Sequence, residues 1–163
     1  MKYTNQMKPV DNSYTSRTDS QEPRYTVLVA DDDAVIRAML TDKLEQSGFS
    51  VISAQNGEQA WELANTHTPR VVILDWVMPK MDGLTVCRKI KATPSLCGIQ
   101  VIVLTARGQD ADHFEIQASG ANLILVKPIS LRILVEYVRQ LGTAPANTLS
   151  TVTRAMAERI PKT

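Results

Sequence analysis

The chain predicts an α/β fold, a doubly wound five-stranded parallel sheet with helices on both faces. Three observations lead there. Short apolar runs alternate with longer segments of helical periodicity from Tyr25 onward, the pattern of repeated strand and helix units. Val71-Val72-Ile73-Leu74 and Val101-Ile102-Val103-Leu104 are apolar at every position, as central strands covered on both faces must be. Each apolar run then meets a polar or charged residue, placing the chemistry of the chain at one edge of the sheet.

In chain order the strands fall at 25–30, 50–54, 71–74, 100–104 and 123–126. The first helix spans 34–47, with Ile36, Met39, Leu40 and Leu44 at spacings of three and four and Gly48 as its C-terminal stop. Helices at 57–66, 84–92 and 110–119 follow, and the last, 131–141, sets Leu131, Leu134, Val135 and Val138 on one face. Strict alternation of five strands and five helices requires right-handed crossovers. In such sheets ligands sit beyond the carboxyl ends of the strands, where strand order reverses.

At 163 residues and a net charge of +1, the chain fits one ordinary domain with tails. That balance does not favour nucleic acid or an anionic membrane as main partner. Cys87 and Cys97 form no CxxC pair, so reduced thiols in a cytoplasmic protein are expected. No run approaches the roughly 20 apolar residues of a membrane span, and the first residues lack the apolar core of a signal peptide. Residues 1–24 carry little to bury and are expected to be a disordered extension. The domain is expected over 25–141, and 142–163 reads as a tail with a short helix near 149–160, too small for an output domain.

The strand ends carry Asp31, Asp32 and Asp33 after the first strand, Asp75 after the third, Thr105 after the fourth and Lys127 at the end of the fifth. Carboxylates converging without thiols or imidazoles favour a hard cation such as Mg²⁺, which takes one or two carboxylates, waters and a phosphate. A lysine and a hydroxyl beside them complement an anion. Such a site holds Mg²⁺ and a phosphoryl group together, and a carboxylate has to be the acceptor.

Three motifs, VLVADDD from Val27, LDWVMPKMDGL from Leu74, and VLTA with LVKP ending at Pro128, make residues 25–141 resemble the receiver domain of two-component response regulators. The resemblance implies a flavodoxin-like sheet of strand order 2-1-3-4-5. It implies Asp75 as phosphoacceptor from a phosphohistidine of a histidine kinase or histidine phosphotransfer protein. Asp31, Asp32, Asp75 and the backbone carbonyl of Val77 would bind Mg²⁺, Thr105 would turn toward the phosphoryl group, and Lys127 would contact it. Lys127-Pro128 is expected to be cis, Pro79 and Gly83 to shape the loop after the acceptor. Output is expected through a downstream effector protein at the surface of the 110–119 helix, the 123–126 strand and the 131–141 helix, with a phosphorylation-dependent homodimer among the partners implied. The chain is expected to be no enzyme beyond its own phosphoryl transfer.

Two positions depart from that family. Ile124 stands where many receivers carry the aromatic that couples lysine to threonine, and Ile129 where an aromatic follows Lys-Pro. Val77 and Arg107 supply no carboxylate or amide to orient water, so autodephosphorylation is not expected to be fast.

Plainer roles account for neighbouring residues. Asp33 and Asp82 stand where helices begin and serve as caps. Cys87 belongs to an apolar helix face, His67 and His113 to the surface, and Trp76 to a loop facing partners or half-buried. Two rival functions remain: a phosphorylation-independent adaptor, motivated by Ile124, and a phosphohydrolase of the haloacid dehalogenase type. The latter needs a second aspartate where Val77 stands.

Overall fold

A computed structural model describes residues 25–106, 115 and 118–145. Five parallel strands, β1 (Thr26–Ala30), β2 (Ser50–Ala54), β3 (Val71–Asp75), β4 (Gln100–Thr105) and β5 (Leu123–Val126), form one sheet in the order β2-β1-β3-β4-β5. Among the described residues four helices can be bounded: α1 (Ala34–Gln46), α2 (Gly57–His67), α3 (Gly83–Ala92) and α4 (Leu131–Thr143). The doubly wound sheet expected from the alternation is present, in the expected strand order. The 110–119 helix falls largely, and the tail helix, the N-terminal extension, Arg107 and His113 wholly, outside the described residues.

Successive side chains of a strand point to opposite faces, so a sheet covered on both sides needs two cores. Leu28, Ala30, Val72, Leu74, Val101 and Val103 pack with Ala60 and Ala64 of α2 and Leu84, Cys87 and Ile90 of α3. Val27, Val29, Ile73, Ile102 and Leu104 pack on the other side with Leu40 and Leu44 of α1 and Leu134, Val135, Val138 and Leu141 of α4. All five residues of β3 and all six of β4 are buried, which is why those runs show no alternation in the sequence.

Boundaries differ from the sequence reading in small, explicable ways. The first strand starts at Thr26 rather than Tyr25, whose ring instead packs against Phe49 at 5.3 Å between centroids. Ser47 caps the end of α1, and Gly48, at φ 94°, takes the left-handed conformation just beyond it. Asp75 and Thr105 are the last residues inside β3 and β4 rather than the first beyond them, so strand hydrogen bonding fixes their backbones. Trp76 donates its N–H to the Leu104 carbonyl, and Lys127 donates its own to the Thr105 carbonyl.

At the opposite edge of the sheet the last turn of α4 is fastened twice. The Tyr25 hydroxyl donates to the Val138 carbonyl at 2.8 Å. Arg70, just before β3, donates Nε to the Gly142 carbonyl and Nη2 to that of Ala144. A cation at these orphan carbonyls satisfies them and complements the helix dipole.

Candidate functional site: an acidic cluster with one lysine

The carboxyl ends of β1, β3, β4 and β5 bring Asp31, Asp32, Asp75, Thr105 and Lys127 to one edge, as the order of the strands requires. Asp31 and Asp75 are buried, at 1% and 9% exposure, and Asp32 is exposed. One oxygen from each of the three carboxylates lies within 4.8 Å of the others. The Lys127 ammonium stands between two of them, 2.9 Å from Asp31 Oδ2 and 3.0 Å from Asp75 Oδ1. Thr105 is buried one strand away, paired in register with Val126.

Local structure explains how like charges are held so close. Asp33 accepts the N–H groups of Val35 and Ile36 on Oδ1 and so caps α1. Its own N–H donates to Asp31 Oδ1 at 2.9 Å. The third aspartate therefore serves the helix with its side chain and the buried carboxylate with its backbone, a second role the sequence does not announce. The Asp31 N–H donates to the Ala54 carbonyl, and Arg37 Nη1 donates to the Asp31 carbonyl at 2.7 Å. Arg37 was not singled out from the sequence. The available signal was a cation in the first turn of a helix, against the dipole.

The loop after β3 is equally fixed. Gly83 donates its N–H to the Trp76 carbonyl, and a Cβ on Gly83 would lie 2.2 Å from the Asp75 carbonyl oxygen. Glycine is required there for space. Asp82 caps α3 through the Thr85 N–H. Met78 is buried, Lys80 takes a left-handed φ of 67° and pairs with Glu58, and Val77 is 66% exposed. Trp76 is half-buried against the core, and Lys127-Pro128 is cis.

Burial raises the pKa of Asp75 above its ordinary 3.8; the bond and charge of Lys127 oppose this, and Asp31 and Asp32 reinforce it. Burial depresses Lys127, but the hydrogen bonds and charges of Asp31 and Asp75 outweigh it, and its pKa rises above 10.5. The ammonium is thus charged beside a carboxylate that has lost much of its hydration. The donor set, oxygen only and clustered from two chain segments, fits a hard divalent cation.

Among the described residues the other candidates play supporting parts. Cys87 is fully buried and its thiol, pushed up to about 11 by burial, donates to the Ser119 carbonyl. His67 is exposed at the end of α2. No described helix is long and apolar enough to cross a membrane.

A family model described as the response regulator receiver domain matches residues 27–139. Among curated relatives, the probable transcriptional regulator ycf27 of Guillardia theta is 39% identical over 118 residues, 72% of this chain and 45% of the relative. The phosphate regulon transcriptional regulatory protein PhoB of Pseudomonas aeruginosa is 34% identical over 114 residues, 70% of this chain and 50% of the relative. The chain spans about half the length of the curated relatives it matches. Among solved structures, the receiver domain of the Francisella response regulator 1452 superposes with a TM-score of 0.67 at 32% identity, covering 73% of this chain and 97% of that one. The chemotaxis response regulator CheY4 of Vibrio cholerae gives 0.68 at 27% identity, covering 72% and 98%. With the sheet, its order and most of the chain in common, this chain belongs to the response regulator receiver family and carries the receiver domain of a two-component response regulator.

Proposed function

We propose that the domain accepts a phosphoryl group on Asp75 from the phosphohistidine of a histidine kinase or histidine phosphotransfer protein, in a Mg²⁺-dependent reaction. The observation that carries this is the placement of Asp75, whose Oδ1 lies 3.0 Å from the Lys127 ammonium and one of whose oxygens clusters with oxygens of Asp31 and Asp32. An ionised Asp75 oxygen attacks phosphorus, the phosphorus–nitrogen bond breaks, and its electron pair returns to the imidazole. Burial removes hydration from the attacking carboxylate and so raises its basicity. Lys127 and the Thr105 hydroxyl neutralise charge on the transferred oxygens. Asp31, Asp32, Asp75 and the Val77 carbonyl would hold Mg²⁺, which supplies further neutralisation of those oxygens when bound. Beyond this self-modification the domain acts on no other substrate, and it passes the signal on by contact with a downstream effector protein.

Acetyl phosphate and Mg²⁺ should add the mass of one phosphoryl group to the wild type and nothing to Asp75→Asn, and a chelator should abolish the gain. An equal gain in Asp75→Asn would refute the assignment.

One observation favours a second reading, a phosphorylation-independent adaptor of the same fold. Ile124, half-buried against the core of the α2 and α3 face, fills the position of the expected aromatic. Beryllofluoride, a mimic of the phosphoryl group, decides between the two. A change in partner affinity supports the switch, and equal affinity supports the adaptor.

A further inference from the structure

We propose that Arg37 is a positioning residue for the acidic site: by holding the Asp31 carbonyl, its guanidinium sets the direction in which the Asp32 carboxylate is presented to a divalent cation. This rests on the Mg²⁺ reading above. Each polar group of Asp31 is committed: the N–H to Ala54, Oδ1 to the Asp33 N–H, Oδ2 to Lys127, and the carbonyl to Arg37. Asp32 is the opposite case. It is exposed, and among the described residues its carboxylate has no hydrogen-bond or ion-pair partner, so its aim follows from its backbone. The peptide joining the two aspartates is fixed on its carbonyl side by Arg37 at 2.7 Å.

The position of Arg37 points the same way. It is the fourth residue of α1, where the positive end of the helix dipole disfavours a cation. Among the described residues it makes no ion pair with a carboxylate, although three aspartates precede it within six residues. Its half-buried side chain reaches back across the first turn to a backbone oxygen instead.

Positioning and plain electrostatics predict opposite signs. Removing a positive charge near a dication site should tighten Mg²⁺ binding if charge alone matters. Removing a support for Asp32 should loosen it. The test uses the whole chain as wild type, Arg37→Met and Arg37→Lys, with Mg²⁺ titrated against the fluorescence of Trp76, the residue next to Asp75. Amide exchange of residues 31–34 is followed in metal-free protein. Arg37→Met should raise the Mg²⁺ dissociation constant about tenfold, the low end of the range for groups that orient metal ligands. The 32 and 33 amides should exchange faster while those of β3 stay protected, and Arg37→Lys, which keeps the charge and one donor, should recover part of the affinity. Unchanged or tightened binding in Arg37→Met overturns the proposal, as does unchanged exchange. If Arg37→Met unfolds, Arg37→Lys decides alone: weakened binding supports the role and wild-type binding overturns it. A wild type without any Mg²⁺ response removes the metal reading and the proposal together, an outcome distinct from equal binding by wild type and variant.

Discussion

Asp31 and Asp75 share one ammonium, so Lys127 is what lets two carboxylates stay buried side by side without metal. Lys127→Met should lower metal-free stability by about 2 kcal/mol, less than the roughly 3–5 kcal/mol typical of a fully buried pair, because the lysine side chain is 22% exposed. The same variant should gain more in melting temperature from saturating Mg²⁺ than the wild type does, since the cation then relieves more repulsion. A larger wild-type gain would contradict this account of the pairing. Protonation gives a second measure. Asp75 holds its proton more tightly folded than unfolded, so between 3.8 and its raised folded value the native state binds more protons, and stability falls as pH rises through that window. Asp75→Asn should therefore melt higher than wild type in chelator at neutral pH, with the advantage shrinking as pH falls through that window and gone below about pH 4. Lys127 works in the other direction. Its contribution is complete below 10.5 and is lost as pH climbs past its raised folded pKa. Asp33→Ala, which strips the cap from Val35 and Ile36, should cost about 1 kcal/mol in a thermal melt.

Two connections between elements set the geometry that the side chains use. Gly83 lets α3 start against the backbone of Asp75. Gly83→Ala would gain helix propensity, but its methyl meets backbone rather than a movable side chain. The substitution should destabilise the domain by about 1–3 kcal/mol and slow phosphorylation by acetyl phosphate. Away from the site, Asn122 Oδ1 accepts the Val101 N–H and the Lys91 ammonium, both at 2.8 Å, tying β4, β5 and α3 together where the strands begin. Lys91, half-buried, also donates to the Ile99 carbonyl. The elements were legible in the sequence wherever burial was two-sided or periodic: β3 and β4 as unbroken apolar runs, α4 as a stripe. The strand-end positions of Asp31, Asp75, Thr105 and Lys127 followed from the topology. What could not be read was anything made by backbone groups across the chain, such as the Asp33 N–H on Asp31 or the Arg37 bond to a carbonyl. Residue types do not record where a peptide plane points. Nor do they show Gly83 as a spacing requirement, since a glycine before a helix has several ordinary explanations.

For the molecule as a whole, exposed apolar side chains lie on the segments that flank the site. Val35 and Met39 of α1 are 77% and 47% exposed, and Val77, two residues after Asp75, is similarly open at 66%. A cleft of about 320 Å³ beside Lys127 and Pro128 runs under Met39 and is lined by Ile36, Ile129 and Leu131. On the proposed transfer, a protein donor would cross this rim to bring its imidazole to Asp75, whereas acetyl phosphate would not. Met39→Glu should accordingly slow transfer from a phosphohistidine protein at least severalfold, by burying an unpaired charge, and leave the acetyl phosphate rate near wild type. Equal slowing with both donors would place the effect in the chemistry and not in docking.

The double fastening of the last α4 turn by Tyr25 and Arg70 fixes where the described chain enters and leaves. Both points lie at the pole of the sheet away from Asp75. A dye, a surface anchor or a fused reporter attached where the described residues begin or end therefore starts at the pole away from Asp75, and an immobilised sample should meet its donor as freely as one in solution.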